Sequence, residues 1–175
     1  MPTIDVDPRR TAFVFIDLMP RIISLPTAPS TGADVLDRCL ELAGAARAAG
    51  ALVVWVRVER PGVEAQPPGS ELARECAPRQ GEHEIVKRTI GAFHNTGLDA
   101  VLRARDVNTV VLGGLVTNFG VESTGRAADE HGYSVVYVSD AMAGLHEHAH
   151  RFAVEYVFSR FGEVHTTAEI VAALR

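Results

Sequence analysis

At 175 residues, with 47% apolar and 22% charged residues, the chain has the length and composition of one domain around a single sizeable core. Its net charge of −5, with no stripe of clustered Lys and Arg, excludes the electrostatic footprint of a nucleic-acid binder. The two cysteines, Cys39 and Cys76, have no metal-ligand spacing and are too few for a disulfide framework.

The opening MPTIDVDPRR has no apolar signal-peptide core, and no apolar run approaches the ~20 residues of a membrane span. A cytoplasmic protein without a membrane partner is the expectation. Thr11–Asp17, TAFVFID, reads as a strand apolar on both faces that closes on a carboxylate. Leu18–Thr31 carries Pro20, Pro26 and Pro29 and is expected to be loop and turn. Asp34–Ala49 has helical spacing of Val35, Leu36, Cys39, Leu40 and Ala43 and stops at Gly50, which makes Cys39 a packed thiol.

Ala51–Val58 is a second buried strand. Arg60–Gly81, with four prolines and three glycines, is a long excursion with a helical turn at Ser70–Cys76. A third strand at His83–Arg88 places Lys87 at its end, and Thr96 can cap a helix carrying Leu98, Val101 and Leu102. Asn108–Leu112 is strand four, and Gly113-Gly114 and Thr117-Asn118-Phe119-Gly120 lead into a helix over 119–131 with Asn118 as N-cap. Ser134–Val138 is strand five, with Asp140 expected to cap a turn beyond it. A helix near His146–Arg160 is expected to bury Ala149, Phe152, Ala153, Tyr156 and Val157. A last strand near Glu163–His165 precedes a capping box at Thr166–Glu169.

Six short buried strands alternating with helices predict an open parallel sheet covered on both faces, an α/β three-layer fold. Ligands bind such sheets outside the carboxyl ends of the strands. Asp17, Lys87 and the 113–120 loop all follow strand ends, so they share one edge. A carboxylate closing an apolar run is partly desolvated, which suits it to proton transfer. The glycine-rich loop offers backbone N–H groups for an anion. His146-Glu147-His148-Ala149-His150 formally matches the zinc motif H-E-x-x-H, but it sits at a helix start without a third ligand, and no metal is expected there.

TAFVFIDL, HEIVKRTIGAF, VVLGGLVTNFGVESTGRAA and GYSVVYVSDA, in this order, resemble the isochorismatase-like hydrolases, also called cysteine hydrolases. The resemblance implies a six-stranded parallel sheet of order 3-2-1-4-5-6, with neither metal nor cofactor at this chain's site. It implies a homodimer or homotetramer and a small-molecule substrate. It also implies an Asp–Lys–Cys triad, carried over to Asp17, Lys87 and position 120, and a cis peptide at Leu115–Val116. Val116 and Gly120 would be the oxyanion-hole donors, with Thr117, Asn118 and Phe119 beside the substrate.

Residue 120 is glycine, which has no nucleophile, so a thioester route is closed at this position. Ser123 and Thr117 do not simply replace it. Met19 stands where the family usually has Gln, and Val56–Glu64 lacks the metal-binding set of nicotinamidases. Siderophore-type isochorismatases resemble this chain in having Gly there, although the Gln of their motif is not evident in VRVERPG. Three readings stay open. One is a hydrolase with Asp17 as general acid/base, Lys87 stabilising charge and water as nucleophile. The second is a catalytically silent binder, and the third an amidase with another nucleophile.

Overall fold

The computed structural model describes residues 6–175. Six strands, β1 (Thr11–Ile16), β2 (Leu52–Val58), β3 (His83–Lys87), β4 (Thr109–Leu115), β5 (Ser134–Ala143) and β6 (Glu163–His165), form one sheet in the order β3-β2-β1-β4-β5-β6. All five pairings are parallel. The chain starts at the centre, winds outward to β3 and then crosses to β4, so the order reverses between β1 and β4. That makes the carboxyl ends of β1 and β4 the expected place for a ligand.

Both faces of the sheet are covered because the central strands β1, β2 and β4 carry apolar residues on both faces along most of their length. Phe13, Phe15, Trp55 and Val136 pack on one side with Cys39, Leu42 and Ile170, from α2 (Gly32–Ala49) and α6 (Thr167–Ala173). Val14, Val54 and Leu112 pack on the other with Leu98 and Leu102 of α3 (Leu98–Arg103) and Ala128 of α4 (Glu122–Glu130). Thr31 opens α2 with a full capping box to Asp34, and Gly50 ends it in the left-handed region at φ 81°. Among the described residues, no helix is long and apolar enough to cross a membrane.

Four local expectations change. The segment after β1 is not all loop: Pro20 starts a short helix, α1 (Pro20–Ile23), at the position where its missing N–H costs nothing. Asn118 is not an N-cap, since Val116 stands before a π-helical turn over Thr117–Val121 and Asn118 lies inside it. The fifth strand continues to Ala143, past a register shift opposite Leu112 and Gly114. Asp140 within it accepts the Thr167 N–H at 2.7 Å and so ties β5 to the start of α6.

The helix near 146–160 is also discontinuous. It is α5 (Glu147–Phe152), then a π-helical turn at Ala153–Val157 and a 3-10 turn at Phe158–Arg160. The buried stripe runs through His150, Ala153 and Val157 at helical spacing and on to Phe158, while Phe152 and Tyr156, on the neighbouring face, are 59% and 54% exposed.

Candidate active site

Three strand ends meet at the reversal point. Asp17 follows β1 in the left-handed region at φ 52°, a conformation that Asp tolerates better than most residues. Its own N–H is held by the Val56 carbonyl at 2.8 Å. Gly114 in the neighbouring β4 has φ 116°, and a side chain there would run into the Ile16 backbone. Only glycine lets β4 pass so close to the residue before Asp17. The peptide bond between Leu115 and Val116 is cis. The Val116 N–H donates to no backbone carbonyl among the described residues.

Lys87 ends β3, two strands away, and reaches across to Asp17. Its Nζ lies 2.8 Å from Asp17 Oδ2, with the two side chains only 2% and 8% exposed. It also donates to the Ile90 carbonyl at 2.7 Å and the Thr89 carbonyl at 3.4 Å. All three ammonium hydrogens therefore have acceptors. Asp17 is less well supplied, because Oδ1 is buried without a hydrogen-bond partner among the described residues. Burial pushes the Asp17 carboxyl above its ordinary value, and the positive charges of Lys87 and Arg21 pull it back only in part.

Gly120 closes the group. A methyl built on it would lie 2.8 Å from Ile16 Cγ2 and 3.4 Å from Asp17 Oδ2. The turn around it is fixed by Thr124, whose hydroxyl donates to the Gly120 carbonyl at 2.7 Å and accepts the Ala92 N–H at 3.1 Å. One buried threonine thus ties the turn to the segment that carries the Lys87 acceptors. Asp17, Lys87, Val116, Phe119 and Gly120 all line one cavity of about 410 Å³.

The remaining predicted positions divide. Phe119 is half exposed at the cavity, whereas Thr117 is buried and turned to His150, 2.8 Å from Oγ1 to Nδ1. Asn118 is not on the cavity wall, and its Oδ1 is buried without a partner. Burial holds the His150 imidazole below its ordinary value, so it sits neutral beside Thr117 at pH 7. With one histidine so engaged, the H-E-x-x-H stretch does not form a ligand set. Among the described residues, no group of three or more His, Cys, Asp or Glu side chains could hold a metal ion.

Cys39 and Cys76 are buried, and desolvation raises both thiols, Cys76 to about 12. Neither has a thiolate to offer at neutral pH. Sequence reasoning missed Arg21, which lines the cavity, and Thr124, which stands one helical turn after Gly120. The Gly120–Thr124 spacing was visible, but its meaning depends on the loop it meets in space.

The isochorismatase domain model matches residues 11–169. The isochorismatase family protein YecD of Escherichia coli O157:H7 is 33% identical over 98% of this chain and 100% of its own length. Maleamate amidohydrolase of Pseudomonas putida is 29% identical over 95% of this chain and 88% of its own. The solved structure of an isochorismatase family protein from Burkholderia thailandensis superposes with a TM-score of 0.89 at 36% identity, covering 99% of this chain and 98% of that one. The chain is a member of the isochorismatase family, whose members are hydrolases.

Proposed function

We propose that the protein hydrolyses a small molecule by acid–base chemistry at Asp17, with Lys87 stabilising negative charge and no side-chain nucleophile at position 120. The observation that carries this reading is the buried Asp17–Lys87 pair, in which the lysine is saturated and one carboxylate oxygen is left without a partner. A carboxyl raised by desolvation holds a proton to higher pH and releases it to a substrate atom on demand.

On an enol ether, the Asp17 proton goes to the terminal vinyl carbon and leaves an oxocarbenium ion. Water then adds to the cationic carbon and returns its proton to the Asp17 carboxylate. The hemiketal breaks its C–O bond to give a carbonyl compound and an alcohol. The Lys87 charge steadies Asp17 each time it is ionised, and the Val116 and Gly120 backbone orients the substrate. A plain amide, less reactive towards water, is the poorer substrate for this set of groups.

The test is a panel of small enol ethers and amides assayed with wild type and Asp17→Asn. Asp17→Asn is expected to lower turnover by roughly 10²–10⁴. As general acid, Asp17 must be protonated, so kcat/KM should fall as pH rises through its elevated pKa. Turnover retained in Asp17→Asn overturns the assignment. Ligand binding without turnover of any panel compound would favour the silent-binder reading.

A further inference from the structure

Among the described residues, the cavity wall holds one cation that the protein itself does not neutralise. Lys87 faces Asp17 at 2.8 Å, and Arg88 is matched by Glu59 at 2.7 Å. Arg21 makes no ion pair with a described carboxylate. Its Nε donates to Ser70 Oγ at 3.0 Å and its Nη2 to the Val58 carbonyl at 3.4 Å, both neutral acceptors, and Nη1 has no partner among the described residues.

This placement is built by two segments distant in sequence. The Arg21 N–H donates to the Gly69 carbonyl at 3.2 Å, and a methyl on Gly69 (φ 75°) would stand 3.0 Å from the Arg21 nitrogen. The excursion over 60–81 therefore closes tightly on α1, and its buried Ser70 holds the guanidinium at the wall. The Arg21 charge is felt at Asp17, where it opposes the effect of burial. A half-buried guanidinium without a counter-ion is costly, and its planar fork matches a carboxylate. Leu25, Ile90 and Phe119, each partly exposed, add apolar surface to the same cavity.

Resting on the hydrolase reading above, we propose that the site takes a small organic monocarboxylate. The carboxylate pairs with Arg21, the apolar body lies against Leu25, Ile90 and Phe119, and the scissile bond is presented to Asp17 and Lys87. One uncompensated cation selects one negative charge, and about 410 Å³ limits the size.

Benzoate and benzamide, nearly equal in shape and different in charge, are the probes. Calorimetric titration of wild type is expected to show benzoate bound at least about tenfold more tightly. Arg21→Met should weaken benzoate by about tenfold or more and leave benzamide unchanged, while Arg21→Lys retains part of the preference. Should Arg21→Met not fold, Arg21→Lys and Ser70→Ala carry the comparison, each expected to weaken benzoate alone. Equal affinities, no benzoate binding, or an Arg21 variant without effect overturns the proposal. Repeating the titrations in Asp17→Asn separates the two readings. The charge preference persists there if Arg21 recognises the anion, whatever the turnover assays give.

Discussion

Adding one methyl at Gly120 tests whether the site is packed as tightly as its geometry implies. Gly120 is not in the left-handed region, so backbone entropy alone favours Gly120→Ala by about 0.5–1 kcal/mol. The methyl, however, would lie 2.8 Å from Cγ2 of the fully buried Ile16. That carbon branches directly from Cβ and cannot swing away without moving β1, so the overpacking cost is about 1–3 kcal/mol. The balance is a destabilisation of roughly 0.5–2 kcal/mol, or about 1–8 °C in Tm for a chain of this size.

The cause is isolated by a double-mutant cycle with Ile16→Ala, which removes Cγ2 and alone costs about 2–5 kcal/mol. In the double variant the new methyl enters vacated space, so the pair should be more stable than the sum by about 1–3 kcal/mol. Urea unfolding at constant m measures each corner. A Gly120→Ala variant more stable than wild type, or additivity within about 0.5 kcal/mol, would falsify the packing argument. The same constraint bears on Gly120→Cys. A thiol there carries the same Cβ, so any amidase activity it confers is read beside Gly120→Ala rather than beside wild type.

Lys87→Met leaves Asp17 buried without its cation and should cost about 3–5 kcal/mol at neutral pH. The folded Asp17 pKa, already raised, rises further, so the folded state binds more protons than the unfolded. The deficit should therefore grow as pH climbs from the raised wild-type value of Asp17 to the still higher value in the variant and then level, as urea unfolding across pH would show; a pH-independent deficit would contradict it. His150 has the opposite sense. Its folded pKa is depressed below 6.5, so its contribution to stability is complete above that value and is lost as pH falls through it towards the folded pKa. His150→Gln, which keeps a polar partner for Thr117 but does not titrate, should flatten the pH 5–8 stability profile; an unchanged profile would exclude His150 as the source.

The parallel sheet and the shared edge of Asp17, Lys87 and the 113–120 loop were legible because central parallel strands are apolar on both faces and end abruptly in polar residues, whereas the strand order followed only from the family resemblance. TAFVFID, ALVVWVRV and NTVVL carry that signal without help from distant contacts. The helix after β5 was read less well. Phe152 and Tyr156 fit a 3.6-residue period, but the face that packs is that of His150, Ala153 and Val157, which the apolar pattern hid because its first member is a histidine. Asn118 looked like a cap because Asn often is one. The chain instead enters its π turn two residues earlier, at Thr117, whose hydroxyl is engaged by His150 across 33 positions. Arg21 was illegible for a similar reason. Nothing in PRII marks an arginine whose side-chain partners among the described residues are a serine 49 positions away and a carbonyl 37 away.

How polar satisfaction is shared out within the site bears on which group reacts. Burying an ion pair is tolerable only where the geometry is good and the remaining polar atoms are satisfied. Lys87 meets that condition with three acceptors, so its ammonium is locked in position and has no hydrogen left for a substrate without giving one up. Asp17 does not meet it. Oδ1 is buried with nothing to accept from, on a residue held at φ 52° by the register of β1, β2 and β4. Such left-handed strain costs on the order of 1–3 kcal/mol and persists only where the surroundings impose it. The backbone strain is the same in either protonation state, but the unpartnered oxygen penalises the carboxylate, and the lysine bears no such penalty. An ionised Asp17 is thus the least comfortable group in the site, and protonation of its free oxygen relieves it. On the hydrolase reading proposed above, that asymmetry is the reason to assign the proton to Asp17 and the fixed charge to Lys87.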